Sequence, residues 1–201
     1  MTSHPASAGP MELKAQIDKL STDLVEVYEA LTMVYGSVAV LGGLFAFEEI
    51  TGYLVERSVD ALLASGAALY LAQQDGTLTC VAQHEGLAAH IAPHGPRALL
   101  DKRRAMFHNG EAAATVLTAE APRFNLVSSP LETGGKARGV LVVARPPQET
   151  FATGDAKLIG ALCGVTAVAI ANFQHYRAVS AQREMLEGVM RESAEGIVVA
   201  D

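Results

Sequence analysis

The stretch NLVSSPLETGGKARGVLVVA, residues 125–144, decides how the rest of the chain is interpreted. It contains two segments of strand length, 125–132 and 137–144, separated by the glycine-containing segment 133–136. Such a pair of runs around a short glycine turn is typical of a β-hairpin. The second run is almost wholly apolar, which predicts a strand that is covered on both faces and lies near the centre of a sheet.

A second hairpin is predicted upstream, because the runs 67–72 and 77–82 flank the turn QQDG, whose Asp-Gly pair is a strong hairpin signal. A helix precedes this hairpin and three shorter elements follow it. They are a helix over 46–64, a short helix over 93–104, a short strand over 105–108 and a loop over 111–124 that contains one helical turn. This order of elements predicts an α+β fold in which helices cover the faces of an antiparallel sheet.

Apolar residues spaced alternately by four and three positions lie on both sides of this region. The spacing places them on a narrow stripe of a long helix, and such a stripe needs a partner helix. We therefore predict a coiled-coil helix over 11–45 and a final helix, capped by Asp155, that continues as a signalling helix over 176–191. A parallel homodimer is the simplest arrangement, and packing against another helix of the same chain is the alternative. The predicted interface comprises Leu13, Ile17, Leu20, Leu24, Val27, Leu31, Val34, Val38, Leu41, Leu158, Leu162, Val165, Ala169, Asn172, Tyr176, Val179, Arg183 and Leu186.

Composition and charge narrow the classes of function. The net charge of −7 argues against nucleic acid as a partner, because phosphate backbones attract basic proteins. The two cysteines form neither a CxxC pair nor a zinc-binding pattern with histidine, and reduced thiols are typical of a cytoplasmic protein. No catalytic motif is recognisable, so the sequence predicts neither an enzyme nor a metal site, and it requires no cofactor.

Three further stretches need an interpretation. Residues 1–10 are small and polar, which indicates a disordered tail. The charge-free stretches 30–47 and 158–174 approach the length of a membrane span. Both stretches continue the heptad patterns, so we interpret them as helix surfaces that are buried against other helices, and we expect no membrane insertion.

Three segments, in this order along residues 46–175, resemble the GAF domain family. The first runs from Glu48 to Gly86 and includes AALYL before the Asp-Gly turn, the second is the 128–143 hairpin, and the third runs from Phe151 to Asn172. The resemblance implies a GAF-like antiparallel sheet in a non-catalytic sensory domain of a signalling protein.

A second, shorter resemblance concerns LEGVMRESAEGIVVAD, residues 186–201, which is similar to the opening of a PAS domain and includes a strand-like run at 196–200. Residues 192–201 are accordingly expected to be the start of a truncated PAS-like domain. Together the two resemblances imply a piece of a longer sensor, a histidine kinase of a two-component system.

The GAF resemblance also implies a small-molecule site in a cavity over the sheet, under the loop 111–124. The motifs of the bilin-binding and cyclic-nucleotide-binding relatives cannot be placed in this sequence, so the ligand stays unidentified. The alternative is a ligand-free dimerisation spacer whose cavity is filled by bulky apolar side chains. The candidate ligand-binding residues are Tyr70, Cys80, His84, Phe107, His108, Arg123, Phe124 and Ser128.

Overall fold

The computed structural model describes residues 46–198, and the side chains of residues 46–186. The helix predicted over 11–45, the tail at 1–10 and all the interface residues predicted before Phe47 therefore lie outside the described residues. In chain order the elements are α1 (Phe47–Leu62), β1 (Gly66–Ala72), β2 (Leu78–His84), a 3₁₀ turn (Leu87–His90), α2 (Gly95–Leu100), β3 (Met106–His108), α3 (Glu111–Ala114), β4 (Asn125–Thr133), β5 (Lys136–Arg145) and α4 (Thr153–Val198).

The described strands form one antiparallel sheet in the order β2-β1-β5-β4-β3. The α+β architecture predicted from the sequence is confirmed, and β5 lies at its centre as its apolar composition indicates. Gly139 of β5 lies so close to β1 that a Cβ atom there would come within 2.3 Å of the carbonyl oxygen of Tyr70. This close approach explains why an otherwise apolar strand contains a glycine.

Helices α1 and α4 cover one face of the sheet, which we call the helix face. The Phe47 and Phe173 rings lie 6.3 Å apart at one end of the pair, and Arg145 connects Leu62 to Asp155 at the other end. The two helices therefore run antiparallel. Their buried side chains, including Leu54 and Ile159, pack on every second residue of the strands, as the period of two in a strand requires.

The opposite face, which we call the loop face, is covered by α2, the 3₁₀ turn and the segment 111–117. Leu99 and Val116 pack there on Tyr70, Leu126 and Val142. The core of the domain thus consists of two apolar layers with the sheet between them. Among the described residues, apolar side chains therefore fill the loop face over the centre of the sheet.

The corner between α1, β5 and α4 depends on one arginine. Arg145 Nε donates a hydrogen bond to the carbonyl oxygen of Leu62 at 2.8 Å, and Nη1 donates to the carbonyl oxygen of Thr150 at 3.2 Å. Its Nη1 also lies 3.4 Å from Oδ2 of Asp155, and its guanidinium carbon lies 4.4 Å from the centre of the Phe151 ring. One side chain thereby supplies a hydrogen-bond donor to a carbonyl oxygen at the end of α1 and contacts Asp155 at the start of α4.

Two features of α4 differ from the sequence prediction. The helix begins at Thr153, so Asp155 is not its N-cap; the Asp155 carboxylate instead accepts a hydrogen bond from the Ala152 N–H at 2.8 Å, as a third-position acid does in a capping box. The helix also continues to Val198, so residues 196–198 do not form the strand expected from the PAS resemblance. No described strand lies beside them to pair with, and a single strand without a partner is not stable.

Among the described residues, one helix segment, Thr153–Leu186, is long and apolar enough to cross a membrane by length and composition. The core helix of a water-soluble domain satisfies the same criterion, and the first half of this segment packs on the sheet. The finding is therefore weak evidence for a membrane span.

Candidate functional site

A cavity of about 860 Å³ lies beside the sheet, at the end where β4 begins. Its walls are α3, the segment 117–124 and the segment between β5 and α4, and we call it the loop cavity. It was expected under the loop 111–124 and over the sheet, but that space is occupied by apolar side chains such as Val116 and Leu99. The opening is displaced to the edge because α2 and Val116 fill the loop face.

Two asparagines hold the wall segments of the loop cavity together. Asn125, which is 3% exposed, accepts a hydrogen bond from the Gly110 N–H at 2.8 Å and donates to the carbonyl oxygens of Pro147 at 3.2 Å and Glu149 at 3.0 Å. Asn109 exchanges two hydrogen bonds with the Phe151 backbone. Asn125 is buried and Asn109 is half-buried. Side-chain amides that are paired in this way hold the wall segments in place, so the cavity is largely formed before any ligand arrives.

The segment 117–124 is attached to the rest of the domain by backbone hydrogen bonds. The N–H of Ala92 donates to the carbonyl oxygen of Val116 at 2.9 Å, and the N–H of Thr118 donates to that of His90 at 2.9 Å. The His90 ring lies 5.8 Å from the Phe124 ring. These contacts position Arg123 and Phe124 in the wall of the cavity.

Polar groups without a partner among residues 46–186 line the cavity. The Arg123 guanidinium and the Glu111 carboxylate form no ion pair there, and both side chains are exposed. Apolar surface next to them comes from Leu117, Pro122 and Phe124. A mixture of apolar walls with a few polar groups is typical of small-molecule sites. Within this part of the chain no group of three His, Cys, Asp or Glu side chains could hold a metal ion.

Comparison with known proteins identifies the fold. The family model for the GAF domain matches residues 46–172. The chain belongs to the GAF domain family. GAF domains are sensory and regulatory domains of signalling proteins, and the part of this chain between α1 and the first half of α4 is such a domain.

Solved structures agree with this assignment at the level of the fold. The GAF domain of a Pseudomonas syringae pv. tomato protein named as a sensor histidine kinase is 14% identical, with a TM-score of 0.61; the match covers 81% of this chain and 99% of that one. The GAF domain of an Acinetobacter phosphoenolpyruvate-protein phosphotransferase is 14% identical, with a TM-score of 0.61. The match covers 72% of this chain and 94% of that one.

An enzyme shares the fold as well. The free methionine-R-sulfoxide reductase of Neisseria meningitidis, solved with its substrate, is 15% identical, with a TM-score of 0.62. The match covers 73% of this chain and 91% of that one. At such low identity these structures show a common fold and nothing about ligands. A comparison with curated protein sequences found no match.

Of the eight ligand-binding residues predicted for the GAF domain, the structure brings two, Arg123 and Phe124, to the loop cavity. Tyr70 is buried in the loop-face core. Ser128 is buried on β4, and His108 is buried beside it. The other three lie on edge strands away from the cavity. Cys80 and His84 are on β2, and Phe107 is on β3.

The cavity residues that sequence reasoning missed are the two asparagines and Glu111. Asn109 directly follows the short strand predicted over 105–108, and Asn125 is the first residue of the strand predicted over 125–132. Their role depends on contacts 15 to 42 residues away, which no local pattern reveals.

Burial raises the pKa of both thiols of the GAF domain above the usual range. Cys163 is fully buried, its Sγ lies 3.9 Å from the carbonyl oxygen of Ser129, and burial raises the pKa of its thiol to about 12. Cys80 is exposed on the edge strand β2. Tyr70 is the residue paired with Cys80 on β1. Burial raises the pKa of the Tyr70 hydroxyl above its usual range, and the charge of the Cys80 thiolate raises it further. Neither thiol is activated as a nucleophile.

His108 is a buried titratable group in the GAF domain core. Its Nε2 lies 3.2 Å from the hydroxyl oxygen of Ser128, and the two share a hydrogen bond. Burial lowers the pKa of the imidazole below its usual range, and the nearby Lys102 charge lowers it further. The folded domain therefore favours the neutral ring.

This shift predicts a loss of stability in acid. Above about pH 6.5 the ring is neutral in both the folded and the unfolded chain. As the pH falls below that value, the unfolded chain binds a proton that the folded chain disfavours, so the free energy of unfolding decreases. We expect His108→Gln, which keeps a hydrogen-bonding group but does not titrate, to show a smaller decrease in Tm between about pH 7.5 and 5.5 than the wild type. His175→Gln, at an exposed position, should retain the full decrease, and equal decreases in all three proteins would contradict the assignment.

The predicted C-terminal interface residues divide into two groups. Leu162 is 2% exposed in the helix-face core, so its burial does not agree with a place in an interface; Leu158, Val165 and Ala169 are partly buried against the same core. From Asn172 onward the predicted interface residues have a different environment, because α4 leaves the sheet. Asn172, Tyr176, Val179, Arg183 and Leu186 are exposed on the described helix.

Proposed function

We propose that this GAF domain is a dimeric sensory module of a cytoplasmic sensor protein and passes a signal along α4 to an output domain, such as a histidine kinase. The observation that carries the proposal is the continuity of the apolar stripe on α4. Its first half is part of the domain core at Leu162, and its second half is exposed at Tyr176, Val179 and Leu186. A rearrangement of the core would therefore alter the surface that α4 offers to another helix.

The exposed half of α4 supports a helical partner. Most of the stability of helices in proteins comes from the packing of an apolar face. Tyr176 is 71% exposed, Val179 51% and Leu186 58%. Their spacing of three and seven positions matches the seam of a coiled coil. A second copy of the chain is the simplest partner, since a two-fold dimer buries the same stripe on both helices.

The loop cavity is the proposed ligand site. Arg123 and Glu111 lie in its wall without an ion pair to any other residue of 46–186, and its wall segments lead directly into β4 and, through residues 146–150, into the start of α4. A ligand that binds one arrangement of these segments better would shift the position of α4, and only to the extent of that difference in affinity.

A structural spacer is the alternative function, and one observation favours it. The loop face over the centre of the sheet is filled by apolar side chains, including Leu99 and Val116. In a spacer the GAF domain would hold two long helices in place without binding a ligand.

The experiment that tests dimerisation is sedimentation velocity on the 201-residue chain. We expect a dimer for the wild type and a monomer for Val179→Lys/Leu186→Lys, because two charges would enter the apolar seam. Ala181→Lys/Glu184→Gln adds the same net charge on the opposite side of α4 and should remain dimeric. A monomeric wild type, or a dimer that survives the first variant, would refute the proposal.

Native mass spectrometry of the purified dimer separates the sensor from the spacer. A reproducible extra mass that is lost in Arg123→Ala would support a ligand in the loop cavity. A bare dimer after exposure to cell extract would favour the spacer.

A further inference from the structure

A second cavity of the GAF domain lies on the other face of the sheet, where α4 leaves it. It has a volume of about 820 Å³ and lies between the tips of the two hairpins and the α4 residues Ala167–His175. We call it the exit groove. Its apolar surface comes from Leu71, Leu131 and Ile170, which are almost fully buried, and its exposed polar side chains include Lys136, Arg138 and His175.

Two β-bulges shape this groove. The register of β1 with β2 shifts so that Val81 is the extra residue, and the register of β4 with β5 shifts so that Arg138 is the extra residue. Both extra residues line the exit groove. Bulges re-aim side chains and occur preferentially beside functional sites.

The bulge at Arg138 has a direct consequence for charge. Ala137 packs with the loop-face core, while Gly139 pairs with Leu131 of the helix-face core. Strict alternation would place residue 138 on the loop face with Val140. With the extra residue in the strand, Arg138 instead lines the groove together with Lys136.

The charges of the exit groove have no counter-charge in the described part of the chain. Neither Lys136 nor Arg138 forms an ion pair with any residue of 46–186, and no acidic residue lines the groove. The chain as a whole has a net charge of −7, so a concentration of basic groups next to buried apolar surface is unusual here. An anion would relieve the repulsion between the two cations and bind both through charge-assisted hydrogen bonds.

The chain just before α1 does not supply this anion. Residues 30–47 contain no acidic side chain, and the first carboxylate before Phe47 is that of Glu29. A separate molecule is therefore the better match in charge, with an apolar part for Leu71 and Ile170.

We propose that the exit groove is a second ligand site, which binds a small amphiphile with one anionic group and an apolar body, of which a medium-chain carboxylate is the simplest example. The anionic group would contact Lys136 and Arg138, and the apolar body would lie along α4. Ala171, Gln174 and His175 are part of this wall, directly before the exposed stripe begins at Tyr176. The ligand would thus act at the point where α4 separates from the sheet. The site is independent of the loop cavity.

The test is isothermal titration of the 201-residue chain with decanoate, below its micelle concentration. We expect saturable binding, with decanol, the neutral molecule of the same chain length, bound at least about tenfold more weakly. Lys136→Gln/Arg138→Gln should weaken decanoate binding about tenfold or more. Arg104→Gln/Lys157→Gln removes the same charge from exposed positions outside the groove and should bind as the wild type does. Equal binding of decanoate and decanol would overturn the proposal.

Two further variants locate the bound molecule. Ala171→Phe should block the groove and abolish binding while the Tm stays near the wild-type value, because Ala171 is only partly buried. Arg123→Gln, in the loop cavity, should leave decanoate binding unchanged. If Arg123→Gln abolishes binding and Lys136→Gln/Arg138→Gln does not, the anion binds in the loop cavity and the exit-groove proposal is wrong.

Discussion

Leu162→Ala is expected to lower the free energy of unfolding by roughly 3–5 kcal/mol. The side chain is 2% exposed and packs in the helix-face core between α4 and the sheet. Removal of its branched end would leave a cavity, because the neighbouring Ile159 and Leu131 are held by the rest of the core and cannot close the space. Chemical denaturation monitored by circular dichroism measures the change.

The matched control for this substitution is Leu186→Ala on the same helix. Leu186 is 58% exposed on the described helix, so within one GAF domain its truncation removes little packing and should change the free energy of unfolding by less than about 1 kcal/mol. Its effect should appear in the dissociation of the dimer instead. Equal destabilisation by the two substitutions would show that Leu162 is not a core residue.

Arg145→Ala should be the second most damaging substitution, with an expected loss of roughly 2–4 kcal/mol. It removes the donor to the carbonyl oxygen of Leu62 and the cation beside the Asp155 carboxylate, which keeps only its hydrogen bond from the Ala152 N–H. It also removes the cation from the face of the Phe151 ring. The larger values in that range apply to fully buried groups; 15% of the Arg145 side chain and 22% of the Asp155 side chain are exposed, so solvent screens part of the ionic contribution.

Two controls separate charge from geometry at this corner. Arg145→Lys retains the charge but cannot donate to Leu62, Thr150 and Asp155 at once, because an ammonium lacks the planar fork of a guanidinium. We expect it to recover less than half of the loss, as measured by urea denaturation. Asp155→Asn removes the ionic attraction alone and should cost about 1 kcal/mol or less. Full recovery by lysine would mean that the charge, and not the hydrogen-bond geometry, stabilises the corner.

The sequence predicted those features of the fold that depend on short segments of the chain. The GAF-like order of elements, the two hairpins and the central position of β5 could be predicted because strand length, apolar content and the Asp-Gly turn are properties of short segments. The same holds for the long final helix, whose alternating spacing continues through the described residues. Local patterns fix the ends of elements less well: α2 spans six residues, Gly95–Leu100, where the sequence predicts a helix over 93–104.

The ligand-binding prediction shows where such reasoning stops. The predicted residues follow strands or belong to the loop 111–124, yet only Arg123 and Phe124 line the loop cavity. Cys80 and His84 belong to one strand, but the bulge at Val81 places them on opposite faces of the sheet. A register shift of this kind depends on cross-strand pairing, and the sequence of one strand does not reveal it.

The resemblance of three segments to the GAF domain family implied the GAF fold. Taken by itself, the pattern of the sequence determined the antiparallel sheet with its apolar centre and the existence of a helix with a continuous apolar stripe. These follow from periodicity and turn chemistry, which act over a few neighbouring residues. Only the tertiary structure decided which part of that stripe belongs to the core, that a filled loop face moves the cavity to the edge, and that two bulges bring Val81 and Arg138 to one groove. Those features arise from contacts between residues far apart in the chain, whose geometry is set by packing and strand register together.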